Sequence, residues 1–240
     1  MARHSHWHNI QLKKGKADAK RAGAFAKIAK NITVAAKDGG GDPAFNFKLR
    51  VAVDAAKAVS MPKDNIQRAI DRGTGGGEGA QLEEVVYEGF APGGVAMLVV
   101  CLTDNRNRSV AEVKTAASKN GGSIGAAGSV MWMFEKKGIV VIADATQIND
   151  RDAFELGVID AGAEDVRSSD EAVEIVCAVK DLQKVVEAIE KLGVKADGAS
   201  IEYMAKNTVA VEEANRQALD ACIEAIEDLD DVDAVYTNEA

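Results

Sequence analysis

Tyr87–Lys119, YEGFAPGGVAMLVVCLTDNRNRSVAEVKTAASK, decides how the rest of the chain is parsed. Pro92-Gly93-Gly94 marks a turn, because proline presets one φ and the glycines admit values that other residues avoid. Val95–Leu102 follows without a polar side chain. So short an apolar run between turn signals predicts a buried strand. Thr103-Asp104-Asn105-Arg106-Asn107-Arg108 then turns polar, and Ser109 with Glu112 has the form of a capping box that opens a helix. Val110, Val113 and Ala117 share one face of that helix, and Asn120-Gly121 ends it. The strand thus delivers Arg106 and Arg108 to a helix N-terminus, where unpaired N–H groups favour an anion. The alternative is an ordinary strand-to-helix loop whose arginines pair with neighbouring carboxylates.

Downstream, the chain alternates strands and helices. Val85–Phe90 precedes the quoted strand, and a glycine-rich stretch leads to Val130–Phe134. The pattern then predicts a strand at Ile139–Ala143 and a helix at Ile148–Ala161, followed by strands at Asp165–Ser168 and Ala172–Val179. A helix from Asp181 to Leu192 and a strand at Ala199–Met204 complete the unit. The order βαββαβ is the split ferredoxin-like motif. One strand (Thr208–Val211), a helix bearing Leu219, Cys222, Ile223 and Ile226, and a last strand at Val232–Tyr236 remain. This leftover βαβ has no partner nearby, and residues 95–134 are also a half without a second half. Joining the two halves around the complete unit gives a discontinuous domain.

Upstream, three helices are expected. Phe25, Ile28, Ala29, Ile32, Ala35 and Ala36 form an apolar stripe, with Lys20, Lys27, Lys30 and Lys37 opposite. Gly39-Gly40-Gly41 stops this helix, and Asp42-Pro43 reads as the N-cap and first residue of the next. Met61-Pro62 starts a third helix, which Gly73 ends. Gly73–Gly79 is glycine-rich but lacks the Gly-Lys-Ser/Thr of a phosphate loop, so it reads as a linker. The expected architecture is α+β and multi-domain. A three-helix module with a basic arm (1–73) and a linker (74–79) precede two ferredoxin-like α/β domains, a discontinuous one (80–136 plus 206–240) and an inserted one (137–205).

Charge is segregated along the chain. The first 73 residues carry +9 and the remainder −18, which together make the net −9. A basic region that meets polyanions and an acidic body that does not is the direct implication. No apolar run approaches the ~20 residues of a membrane span, and the start lacks the apolar core of a signal peptide, so a cytoplasmic protein is expected. Cys101, Cys177 and Cys222 are widely spaced and read as buried free thiols. His4, His6 and His8 alternate, but too few further ligands accompany them for a closed metal site. No metal or cofactor is expected.

Seven segments stand out: HSHWHNI (4–10), KGKADAKR (14–21), AAKDGGGDPAFNFKLR (35–50), MPKDNIQRAIDRG (61–73), YEGFAPGG (87–94), DNRNRSVAEVK (104–114) and GSVMWMF (128–134). Together they resemble the YebC/PmpR family of probable transcriptional regulatory proteins, which includes a mitochondrial translational activator. Arg3 departs from the usual glycine, and Phe90-Ala91 from the common tyrosine-glycine. The resemblance implies a helical domain followed by two α/β domains, and a non-enzymatic role linked to nucleic acid. Within the family that role is divided between DNA-binding transcription regulation and action on translation through RNA or the ribosome.

The site residues expected to contact nucleic acid are Lys13, Lys14, Lys16, Lys20, Arg21, Lys27, Lys30, Arg106 and Arg108. Lysines place a protein on a phosphate backbone without reading sequence. A rival enzyme reading rests on the loop at 104–109 and on the many carboxylates. It lacks a phosphate loop and a supported nucleophile. Asp228, Asp230, Asp231 and Asp233 read as an ordinary solvated acidic turn. A third reading is an adaptor that binds proteins through the acidic α/β domains.

Overall fold

Three helices open the described part of the structure, a computed structural model that covers residues 18–75, 82–169 and 172–240, the side chains of 18–22 excepted. They are α1 (Asp18–Gly39), α2 (Phe47–Ala58) and α3 (Lys63–Gly73). The predicted stripe packs as expected: Ile28, Ile32, Ala35 and Ala36 meet Leu49, Val53 and Ala56 of α2 and Ile66, Ala69 and Ile70 of α3. Each isoleucine removed from water there contributes about 1.5–3 kcal/mol. Gly73 does more than stop α3. A Cβ there would lie 2.3 Å from Thr33 O and 2.7 Å from Ala36 Cβ, so α3 crosses α1 nearly backbone to backbone.

The start of α2 differs from its expected position. Asn46, not Asp42, is the N-cap. Its Oδ1 accepts from Leu49 N at 3.0 Å, while its amide donates to Ala35 O at 2.7 Å and Gly40 O at 2.8 Å. One buried side chain therefore closes α1 and opens α2. An ionised aspartate accepts only and cannot do both. Asp42 instead folds a local turn, accepting from Ala44 N at 2.8 Å.

The next sheet begins with the hairpin of β1 (Glu83–Ala91) and β2 (Val95–Thr103). Its turn uses Gly93 and Gly94 at φ 80° and 73°, as Pro-Gly-Gly predicts. Helix α4 (Arg106–Lys119) and the short β3 (Ser123–Ile124) follow. Strand order is β3-β1-β2-β8, where β8 (Val232–Thr237) comes from the far end of the chain behind α7 (Glu213–Glu227). Every residue of β2 is buried. Val95, Met97, Val99 and Cys101 pack against Val113 and Ala117 of α4 and Leu219, Cys222 and Ile226 of α7.

The other sheet comprises β4 (Phe134–Ile142), β5 (Ala163–Ser168), β6 (Val173–Ala178) and β7 (Gly198–Ala205), with α5 (Arg151–Asp160) and α6 (Leu182–Lys191) between strands. Its order, β5-β6-β4-β7, puts the first and third strands at the centre, as the ferredoxin-like motif requires. Residues 136–203 form one compact unit; the three helices and the β3-β1-β2-β8 sheet belong to the other.

Two expected strands are replaced. Val130–Phe134 is not the second strand of its half; Met131–Met133 is a 3₁₀ turn, and β3 takes that role. The cause is Glu88, whose buried carboxylate accepts the N–H groups of Gly128, Val130 and Met131 at 2.6, 2.8 and 2.7 Å. Amides taken by a side chain cannot serve a sheet. Thr208–Val211 contributes only a parallel bridge between Val209 and Glu239.

Candidate nucleic-acid interface

The polar side of α1 carries the lysines expected to meet phosphate. Lys27 and Lys30 lie one turn apart with Asn31 beside them, the spacing that aligns side chains on one helix face. Lys27 Nζ donates to the main-chain oxygen of Glu227. Lys30 Nζ donates to Asp230 O at 2.9 Å and to Asp231 Oδ1 at 2.7 Å. Asn31 Nδ2 donates to Asp233 Oδ1 at 2.6 Å. Further along the helix, Lys37 reaches Leu82 O at 3.0 Å. Lys27, Lys30 and Asn31 therefore rest on the segment from the end of α7 to the start of β8.

Asp231 joins this face to the second one. Its Oδ2 accepts from Arg108 Nη2 at 2.7 Å, Ser109 Oγ at 2.8 Å and Thr103 Oγ1 at 3.0 Å. Burial alone would raise its pKa, but hydrogen bonds from Lys30, Arg108 and Ser109 outweigh that and hold it well below the usual carboxylate range. Ser109 consequently does not cap α4. Asn105 does, accepting from Arg108 N at 3.1 Å, while Ser109 is buried one turn inside. The other arginine, Arg106, forms a bidentate pair with Glu83 and accepts Tyr87 OH on its carbonyl at 3.0 Å. Arg108 also holds Asp104 Oδ1 at 2.9 Å. Both arginines thus sit on carboxylates, the alternative reading of their loop.

Lys13, Lys14 and Lys16 lie outside the described residues, as do the three histidines and residues 76–79 of the linker; Lys20 and Arg21 fall within α1 but their side chains are not described. The structure brings Lys30 and Arg108 together on Asp231 and leaves Arg106 apart on Glu83. Asp231 is the residue that sequence reasoning missed, being one of four crowded acids read as solvated. A usable signal existed. It immediately precedes the buried Val232 and hence the strand that pairs with β2, which places it beside Thr103 and the start of α4.

Other cations of the helical module lie in mixed surroundings. Lys63, Arg68 and Arg72 are exposed on α3 but alternate with Asp64 and Asp71. Gln67 and Arg68 bond within their own helix, to Asp71 and Asn65. Phe45, at the turn before α2, is 89% exposed, and Arg50 stacks over Phe47 at 5.0 Å.

Among the described residues no helix is long and apolar enough to cross a membrane. Cys101, Cys177 and Cys222 are free and buried. Burial pushes Cys101 up to about 12, with Asp231 and Asp233 adding to it; burial likewise pushes Cys177 up to about 11 and raises Cys222. A thiol reagent near pH 8, just below the ordinary thiol pKa, is expected to label none of them in the folded chain and all of them after denaturation. Labelling of Cys101 or Cys222 before unfolding would contradict the packing of the first sheet, and labelling of Cys177 that of the second.

Comparison with known proteins matches two family models, "TACO1/YebC protein N-terminal domain" over residues 5–76 and "TACO1/YebC second and third domain" over 82–239. A probable transcriptional regulatory protein of Caldanaerobacter subterraneus subsp. tengcongensis is 47% identical over 238 residues, 99% of this chain and 98% of that protein. One of the same description from Herpetosiphon aurantiacus is 48% identical over 238 residues, 99% of this chain and 94% of that one. Among solved structures, a conserved hypothetical protein from Aquifex aeolicus superposes with a TM-score of 0.87 at 42% identity, covering 98% of this chain and 97% of the other.

Proposed function

The chain belongs to the TACO1/YebC family, and from that premise we propose that it is a non-enzymatic, cytoplasmic, nucleic-acid-binding regulator of gene expression that contacts phosphate backbones through its basic N-terminal segment. The observation that carries this reading is the segregation of charge, +9 over the first 73 residues against −18 over the rest. Its relatives are named probable transcriptional regulatory proteins, which agrees with a nucleic-acid partner. Regulation through RNA or the ribosome is the second reading. The predominance of lysine, which grips a backbone without reading bases, fits sequence-independent contact with RNA, the ribosome or DNA alike, and Gln67 and Arg68 of α3, engaged within their helix, argue against base reading by that helix.

The test is binding of labelled mixed-sequence duplex DNA and single-stranded RNA by the full chain across a salt titration. Replacing Lys13, Lys14, Lys16 and Lys20 with Gln should weaken binding and reduce the log–log salt slope by about one for each phosphate that is no longer neutralised. The weakening should be nearly independent of sequence. A preference for RNA over duplex DNA supports the second reading. A wild-type chain that binds neither at low salt, or a folded variant with unchanged affinity and slope, overturns the proposal.

A further inference from the structure

The lysine face that nucleic acid would use is already covered by oxygens of the chain itself. Three side chains from one side of α1 meet four acceptors on the segment from the end of α7 to the start of β8: Glu227 O, Asp230 O, Asp231 Oδ1 and Asp233 Oδ1. A phosphate backbone offers the same chemistry, oxygens that accept and never donate. Lys30 holds two of these oxygens with its side chain only 23% exposed, which leaves little room for a phosphate. Asp228 and Asp230 are exposed beside the contact, so an approaching polyanion also meets like charge.

We propose that the acidic α7–β8 loop with its flanking residues, 227–233, is an internal competitor for the lysine face of α1, so that loop and phosphate backbone exclude each other there and the loop sets the chain's affinity for nucleic acid. The inference rests on the nucleic-acid reading above and adds its regulation. Binding through Lys27 and Lys30 requires the loop to be displaced, and apparent affinity is the intrinsic one reduced by the fraction of molecules in which it is. Weakening the loop's hold therefore increases affinity. Lys27 and Lys30 would otherwise contribute nothing to the salt slope.

The measurement uses full-length chain with Asp228→Asn, Asp231→Asn and Asp233→Ala combined, which removes the carboxylate partner of Lys30 and the acceptor of Asn31 while the amide oxygen at 231 still serves Thr103 and Ser109. This variant should bind a labelled mixed-sequence RNA oligonucleotide roughly 3- to 10-fold tighter. Its salt slope should be steeper by about one to two, as Lys27 and Lys30 join the contact. Two controls separate competition from a general change in charge. Asp152→Asn, Glu155→Gln and Asp160→Asn on α5 remove as many charges and should give no comparable gain. Adding Lys27→Gln and Lys30→Gln to the loop variant should abolish the gain. In the wild type, saturating oligonucleotide should speed amide exchange across 228–231. A gain that is absent, equal in the α5 control, or retained without the two lysines overturns the inference. If the wild type binds no oligonucleotide at low salt, it is the nucleic-acid reading that fails.

Discussion

Asp231→Ala is expected to destabilise the chain by about 2–4 kcal/mol, read as a fall in denaturation midpoint at unchanged m-value. The carboxylate is 6% exposed and receives Lys30, Arg108, Ser109 and Thr103. The two cations can regain water, since Lys30 and Arg108 are 23% and 46% exposed. The hydroxyls of Thr103 and Ser109 cannot, because both residues are buried. Thr103 Oγ1 and Ser109 Oγ, 2.7 Å apart, still bond each other and Ser109 keeps Asn105 O, so what is lost is hydrogen bonding to a charged acceptor, about 1.5–3 kcal/mol. Asp231→Asn keeps one acceptor oxygen and should recover part of the stability. The effect depends on pH in a stated direction. A carboxyl held below its unfolded value contributes stability fully above about pH 4, and that contribution is lost as pH falls through the folded value. The gap between wild type and Asp231→Asn should accordingly narrow below pH ~4. A change of less than about 0.5 kcal/mol for Asp231→Ala would place this residue with ordinary surface acids.

Glu88→Ala should have an effect of similar size, about 2–4 kcal/mol, by a different route. Here the partners are three backbone amides, which no rotamer change can relieve. Burial would raise the Glu88 pKa, and the amides of Gly128, Val130 and Met131 outweigh it and lower it. Glu88→Gln should fail to rescue. Gly128 N uses Oε1 while Val130 and Met131 use Oε2, so either orientation of the new amide sets an N–H₂ against an N–H. The released segment carries Trp132, whose ring is 66% exposed and whose Nε1 donates to Ser129 O at 3.2 Å. With Trp7→Phe to leave one reporter, Trp132 fluorescence anisotropy should fall in both variants. Unchanged anisotropy together with full stability in Glu88→Gln would show that the amides do not need the carboxylate.

The elements themselves were legible because periodicity records burial along one stretch of chain. The unbroken apolar run Val95–Leu102 is β2, buried throughout, and Ile28, Ile32 and Ala35 lie on the buried stripe of α1 as their spacing requires. Joining the two orphan halves rested on the same local logic, and β8 does pair with β2. Polar residues carry no such record. Asp42, Ser109 and Asp231 each have the right chemistry for the role first assigned, and each performs another because a competing group lies closer in space. Asn46 takes the cap because it can donate and accept at once. Ser109 turns to Asp231, 122 residues away in sequence. Lysines on a polar face read as solvated or phosphate-binding, and only the tertiary structure sets Lys30 against a loop some 200 residues on. Hydrophobic burial is non-directional and proportional to area, so a local pattern suffices to announce it. A hydrogen bond or ion pair depends on one partner at one distance and angle, and that partner is chosen by how the elements pack.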